Sequence, residues 1–387
     1  METGEETQNN SFESAVLHHF EEGINPAQSS ADAAANPTIV DTIARAIERF
    51  VFLKNKRLYR LIALWVIATY LSADFEYMGY LFAYSPEKRS GKSRLLEVLD
   101  LLVYKSSGVL VQPTPAILFR TAQDATQLLD EVDTWQNSDE LRGILNAGYN
   151  NGAVVQRMEK GDEGKYQTIE FSCFCPRALA GIGLDILAPA TRDRAFAILM
   201  VRQLKGERRE RLLRKQRAEL ESLKEPIAKW AIENKQPVLE EYAQDVPEEL
   251  DAFSDRTIDI AHPLFAIHSA MYKKHPERAI AADELIEAIA ITRHEEDVAG
   301  SGGRDVIAEL VRAAKKESPL LGSASELAEL CTGLSSHPNE YTVASSLRKF
   351  GFESKSIRKG GEPRYRYSLK REELEEVLER YGSEQVQ

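Results

Sequence analysis

Between residues 38 and 73 the apolar positions Ile39, Ile43, Ala46, Ile47, Phe50 and Val51, then Leu58, Ile62, Trp65 and Val66, recur at helical spacing. A basic connector at 54–57 interrupts them, so the pattern predicts a helical hairpin. The next apolar stretch, 77–84, is short, aromatic-rich and bounded by Gly79 and Pro86, which fits a buried strand. Leu95, Leu96, Val98, Leu99 and Leu102 then return to helical spacing, giving the order strand, loop, helix. Further strands are predicted at 126–129, 169–174 and 195–201, with a helix at 138–147. Such alternation implies an α/β fold with a mostly parallel sheet covered on both faces.

Beyond residue 202 the texture changes to long charged helices through 242, an acidic patch at 246–251, and more helix over 255–294. The Gly- and Ser-rich stretch 298–304 reads as a flexible link. The last 80 or so residues read as a helix at 325–330 and a helix at 340–350 with Val343, Leu347 and Phe350 inward. A basic hairpin follows at 354–368 around Gly360-Gly361, completing the order of a winged helix. Residues 1–37, rich in Glu, Gln, Asn, Ser and Ala, bury too little apolar area to offset ordering entropy and read as a disordered acidic leader.

At 387 residues, 43% hydrophobic and 28% charged, the composition excludes a collagen-like, wholly disordered or polytopic membrane chain. The longest apolar run, 61–71, has 11 residues, short of the roughly 20 a membrane helix needs. No Lys or Arg precedes residue 38, so the start lacks the pattern of a secretory signal. Cys173, Cys175 and Cys331 cannot form a four-thiolate zinc site, and the histidines show no ligand spacing. A cytoplasmic protein is expected.

The net charge of −12 argues against a polyanionic partner until its placement is examined: seven acids sit in the leader, and the remainder carries −5. Two stretches are strongly basic. Residues 201–217 hold eight cations against Glu207 and Glu210, and 348–371 hold nine against Glu353 and Glu362. Each could face phosphate or be a solvated face.

The most informative segment is Ser85-Pro-Glu-Lys-Arg-Ser-Gly-Lys-Ser93, between a predicted strand and helix. A phosphate loop needs backbone N–H groups at a helix N-terminus, a lysine for the outer phosphates and a hydroxyl on Mg²⁺. Gly91, Lys92 and Ser93 supply these, although Pro86 replaces the usual first glycine. The expected nucleotide-binding set is Pro86, Glu87, Lys88, Arg89, Ser90, Gly91, Lys92, Ser93 and Arg94. Some 40 residues on, a predicted strand ends in Asp130-Glu131. Asp130 is expected to share the Mg²⁺ shell with Ser93, and Glu131 to activate the attacking water for ATP hydrolysis. Arg194, with Arg192 in reserve, precedes another strand and could reach a neighbouring subunit's γ-phosphate, or else pair with Asp185 or Asp193.

Together, Trp65 and Thr69, Ser-Pro-Glu-Lys-x-Ser-Gly-Lys-Ser93, Leu-Leu-Asp-Glu-x-Asp133, Leu-Arg-Gly-Ile-Leu-Asn146-Ala-Gly148 and Asp193-Arg194 resemble the domain of unknown function 3631, a P-loop ATPase group. So do Asp-Arg256-x-x-Asp259-x-x-x-Pro-Leu264 and the segment 347–381, and the resemblance spans about 40–382. It implies a replication ATPase or helicase of bacterial plasmids, prophages and integrative elements, with Pro86 an ordinary part of the loop. It also implies Asn146 and Arg256 near the nucleotide, and a separate primase or other protein partner.

The expected organisation is a P-loop ATPase core (ASCE/AAA+-like) at 76–203, after the leader and a helical hairpin at 38–75. A helical lid or connector at 204–300 and a winged-helix-like domain at 301–387 follow. DNA is the expected partner of Arg348, Lys349, Lys355, Arg358, Lys359, Arg364 and Arg366, with Tyr365 and Tyr367 either stacking on bases or facing the core. The function expected is an ATP-driven homo-oligomeric motor, a hexamer or similar ring, in mobile-element replication or maintenance. The alternative is an assembly switch or defence ATPase whose basic end binds protein.

Overall fold

The computed structural model describes residues 37–123, 125–135, 138–160, 165–244, 246, 250, 253–273, 282–293, 303–333, 338–359 and 362–381. Residues 1–36 of the expected leader and 298–302 of the expected link lie outside them.

Thr38 opens the first helix, α1 (Ile39–Phe50), with a capping box: its hydroxyl accepts the Asp41 N–H at 3.1 Å and the Asp41 carboxylate accepts the Thr38 N–H at 3.3 Å. The second, α2 (Arg57–Leu71), is apolar on nearly every side and accordingly sits inside the molecule, with Leu61, Ile62, Trp65 and Val66 fully buried. Its Trp65 indole donates to the Gly79 carbonyl at 2.7 Å, fixing the helix to the start of the sheet.

The sheet has five parallel strands: β1 (Tyr80–Ser85), β2 (Ser106–Val111), β3 (Thr126–Asp130), β6 (Arg177–Ile182) and β7 (Ala195–Leu199), in the order β2-β3-β6-β1-β7. Helix α3 (Lys92–Asp100) follows β1, α4 (Pro115–Arg120) follows β2, α5 (Asp139–Ala147) follows β3, and the short α6 (Pro189–Arg192) precedes β7. Ser138 caps α5 by accepting the Leu141 N–H.

One expectation is corrected by the sheet. The segment 169–174 is not a strand of this sheet. It belongs to an antiparallel hairpin, β4 (Val154–Lys160) with β5 (Tyr166–Ser172), inserted between α5 and β6. Its residues are mostly exposed or half-buried, whereas a central parallel strand is buried on both faces. The sheet strand is instead β6, whose opening arginine and small residues Ala178, Ala180 and Gly181 disguise a segment buried from Arg177 to Gly181. Strand β2, polar at its start, was also not anticipated.

Helices α7 (Arg214–Glu221), α8 (Lys224–Tyr242), α9 (Asp255–Lys273) and α10 (Ala282–Arg293) follow the sheet, and α8, α9 and α10 pack on α2. One continuous core therefore runs from Val40 to Ile289. A second core is built by α11 (Gly303–Ala314), β8 (Leu320–Gly322), α12 (Ala324–Ala328), α13 (Glu340–Lys349), β10 (Glu362–Leu369) and α14 (Arg371–Tyr381), with β9 (Lys355–Lys359) paired to β10. Its three strands pair antiparallel in the order β8-β10-β9, and Val343, Leu347 and Phe350 point inward as their spacing requires. Val201 belongs to this second core, so the chain leaving β7 is gripped by the C-terminal unit.

Candidate nucleotide site

The loop between β1 and α3 is shaped by its backbone. Arg89 (φ 65°) and Gly91 (φ 92°) both adopt the left-handed region, and Gly91 is the residue immediately before α3. No side chain caps this helix, which leaves its first-turn N–H groups directed out of the N-terminus. Ser85, Pro86 and Ser90 are buried, while Lys88, Arg89 and Ser93 are exposed. The Lys92 ammonium folds back over the loop, donating to Ser85 Oγ at 2.5 Å and to the Glu87 carbonyl and Ser90 Oγ at 3.3 Å each. Burial pushes the Lys92 pKa below the usual lysine value, and the negative charges of Asp130 and Asp133 pull it back up.

Strand register brings the acids to the same end of the sheet. Leu129 of β3 pairs with Leu179 of β6, which pairs with Phe82 of β1, so Asp130 lies level with Ala83, just before the loop. One strand separates the two, a gap of about 10 Å at ordinary strand spacing. Asp130 Oδ1 accepts the Glu131 N–H at 2.8 Å, and Glu131 is exposed at φ 53°. Asp133 turns inward, its carboxylate accepting the Ile182 N–H at 3.2 Å at the end of the intervening strand. Gly181 permits this approach: a Cβ there would lie 3.2 Å from Asp133 Oδ1 and 2.1 Å from Ile186 Cδ1. Sequence reasoning gave Asp133 no role, and its only signal was its place in the Asp-Glu-x-Asp run.

Arg194 and Arg192 stand at the opposite end of the sheet. The Arg194 carbonyl accepts the Tyr80 N–H at 2.9 Å, and Ala195 pairs with Tyr80, at the N-terminal end of β1. The five-residue step from there to Ser85 spans about 17 Å. Arg194 lies over the Tyr149 ring at 4.8 Å and donates to the Ala190 carbonyl; its Nε is buried without a partner. Arg256 covers the same ring at 5.2 Å and donates to the Tyr149 hydroxyl. Asn146 also sits away from the loop, its side-chain carbonyl accepting the Thr191 hydroxyl at 2.6 Å. At this same end a buried guanidinium, Arg177, donates to Gln127 Oε1 at 2.8 Å, Tyr80 OH at 3.0 Å, Gly148 O at 3.2 Å and Cys173 O at 2.8 Å.

At the C-terminal unit, Arg348 and Lys355 are exposed, Lys349 lies over the Phe350 ring at 5.9 Å, and Arg366 pairs with Glu326 at 2.8 Å. Tyr365 is 62% exposed but Tyr367 is in the core. The side chains of Arg358, Lys359 and Arg364 lie outside the described residues.

A Gly-Lys-Ser loop leading from β1, the strand between β6 and edge strand β7, into α3, with the acid-ended β3 on the far side of β6, has the order of a P-loop NTPase fold of the ASCE/AAA+-like type. No protein-family model matches the chain, and no curated protein matches it. Among solved structures it is similar to the apo C-terminal region of NrS-1, at 11% identity and TM-score 0.33, over 85% of this chain and 75% of that one. It is also similar to the ORC2 protein of Aeropyrum pernix with ADPNP and ADP, at 14% identity and TM-score 0.32, over 88% and 93%. A variant of Thermotoga maritima RuvB aligns at 14% identity and TM-score 0.29, over 81% and 93%. Among the described residues no helix is long and apolar enough to cross a membrane.

Proposed function

We propose that this protein hydrolyses ATP and works as a homo-oligomeric motor on DNA in mobile-element replication or maintenance, as the motif resemblance implies. The observation that carries the reading is the half-buried Lys92 ammonium, folded over the loop onto Ser85 Oγ, the Glu87 carbonyl and Ser90 Oγ, with Asp130 and Asp133 raising its pKa against burial. The N–H groups opening α3 and the Lys92 ammonium bind and orient the phosphates. Ser85 Oγ and the Glu87 carbonyl hold the ammonium in place. Glu131, exposed beside Asp130, accepts the proton of the attacking water.

Ser93 Oγ and the Asp130 carboxylate are hard oxygen donors of the kind Mg²⁺ takes, and no group of three His, Cys, Asp or Glu among the described residues could hold a metal alone. That donor set suits an ion shared with the nucleotide, and Mg²⁺ there would supply neutralising charge on the phosphates. Arg194 cannot reach the loop of its own chain, so its action as a finger requires a neighbouring subunit. The C-terminal unit follows winged-helix order, and its exposed Arg348, Lys355 and Tyr365 support DNA contact.

The test is the ATPase rate of the wild type and of Lys92→Ala, with and without single- and double-stranded DNA. Hydrolysis that is lost with Lys92 and stimulated by DNA supports the motor. Hydrolysis indifferent to DNA, with a protein recovered in pull-down, favours the assembly switch instead.

A further inference from the structure

The segment between β7 and α7 is pinned by the loop after β1, by α14 and by α1. Arg202 donates from Nε to the Lys88 carbonyl at 3.0 Å and lies 3.5 Å from the Glu87 carboxylate. The Arg202 carbonyl accepts from Arg380 of α14 at 2.6 Å. Both Glu207 oxygens are taken by Arg380 at 2.5 Å, and both Glu210 oxygens by Arg49 at 2.5 and 2.9 Å. Leu212 is buried. The two acids that could neutralise this basic stretch are therefore spent on other elements.

What remains outward is positive. Lys205, Arg208, Arg211 and Arg214 recur at every third residue, all four are exposed, and no carboxylate among the described residues pairs with them. We propose that this strap, 205–214, binds the phosphodiester backbone of a nucleic acid as a contact separate from the C-terminal hairpin. The four cations run from a single 3-10 turn (Lys205–Glu207) through an irregular stretch to the first residue of α7, and their regular spacing suits regularly spaced backbone charges. Three are guanidiniums, which grip phosphate oxygens with paired N–H groups. The strap is continuous with Arg202, so a bound backbone bears on the segment that holds the Lys88 carbonyl of the phosphate loop. Nucleic acid as partner follows the functional reading above, but binding to the strap needs no hydrolysis.

Anisotropy of labelled 30-nucleotide single-stranded and 30-base-pair DNA, without nucleotide, between 50 and 200 mM salt tests it. The variant combines Lys205→Gln, Arg208→Gln, Arg211→Gln and Arg214→Gln, with its melting temperature as a folding check. Loss of four contacts lowers the salt slope on single strands by about 3, and each single substitution by about 0.7. The same variant is expected to keep basal ATPase while losing DNA stimulation. Unchanged affinity and slope would overturn the strap while leaving hydrolysis intact. Equal competition by polyglutamate of matched charge would also overturn it, assigning the strap to an acidic protein. Conversely, a reduced slope in a protein that hydrolyses no ATP would sustain the strap and refute the motor. Should the fourfold variant unfold, the four single variants carry the same test.

Discussion

The carboxylate of Asp133 accepts the main-chain N–H of Ile182 at 3.2 Å, joining the turn after β3 to the last residue of β6. This bond holds an acid at the end of the strand that separates Asp130 from the phosphate loop, where its charge acts on Lys92. Replacing Asp133 by Ala is expected to lower kcat for ATP by about 10- to 100-fold, the range for groups that position a reactive centre. Asp133→Asn keeps an acceptor for Ile182 and removes the charge. Comparing the two by steady-state ATPase separates anchoring from electrostatics.

Glu131 is exposed beside Asp130, and the proposed hydrolysis assigns it the role of base. Glu131→Gln should retain nucleotide affinity in calorimetry while hydrolysis falls by about 10²- to 10⁴-fold. Lys92→Ala should weaken binding itself. Equal ATP turnover in Glu131→Gln and wild type would remove Glu131 from the chemistry.

Arg194 lies at the end of the sheet remote from its own loop, packed over Tyr149. In the proposed oligomer, Arg194→Ala should therefore abolish hydrolysis while leaving each chain's loop and acids whole. Mixing it with Lys92→Ala should restore part of the ATPase rate, since some interfaces then combine an intact site with an intact arginine. No recovery at any mixing ratio would argue for a purely intrachain role.

The Arg177 guanidinium, fully buried, satisfies four acceptors from β1, β3 and the two segments flanking the β4–β5 hairpin. Arg177→Leu leaves Gln127 Oε1 and the Cys173 carbonyl without a donor, while the Gly148 carbonyl keeps the Cys175 N–H, and should cost roughly 3 kcal/mol of stability. Chemical denaturation measures it, and a change under 1 kcal/mol would mean water replaces the guanidinium.

Burial lowers the pKa of His262, which packs against Tyr242 at 4.6 Å, and the Glu76 charge opposes this only in part. The unfolded chain thus takes up this proton at a higher pH than the native protein does. Stability from the neutral imidazole is complete above the ordinary value of 6.5 and declines as pH falls below it, toward the lowered native pKa. Melting curves between pH 7.5 and 5 should show a smaller decline for His262→Phe than for wild type.

The elements that were legible are those whose local pattern and burial agree. Helix α2 announces itself by an apolar run, β1 by its aromatic cluster, and the hairpin of β9 and β10 by Gly360-Gly361 between basic strands. The phosphate loop and Asp130 were visible because backbone conformation and phosphate chemistry demand particular residues at fixed spacing. Strand β6 was hidden because a charged residue opens it, and only its distant partners Gln127, Tyr80, Gly148 and Cys173 make that arginine tolerable inside the core. The β4–β5 segments were misplaced for the complementary reason: an alternating strand looks alike whether it joins the main sheet or pairs only with its neighbour.

By itself, the sequence determined a nucleotide-type loop and an acidic strand end, since these depend on contiguous residues and the torsions they allow. Tertiary structure alone decided that β6 runs between them, that Asp133 turns toward Ile182, and that Arg194 faces away from its own loop. It also decided that Glu207 and Glu210 are consumed by Arg380 and Arg49, leaving neighbouring cations outward. Each of these outcomes depends on groups far apart in the chain, where packing and long-range charge pairing, not local spacing, set the free energy.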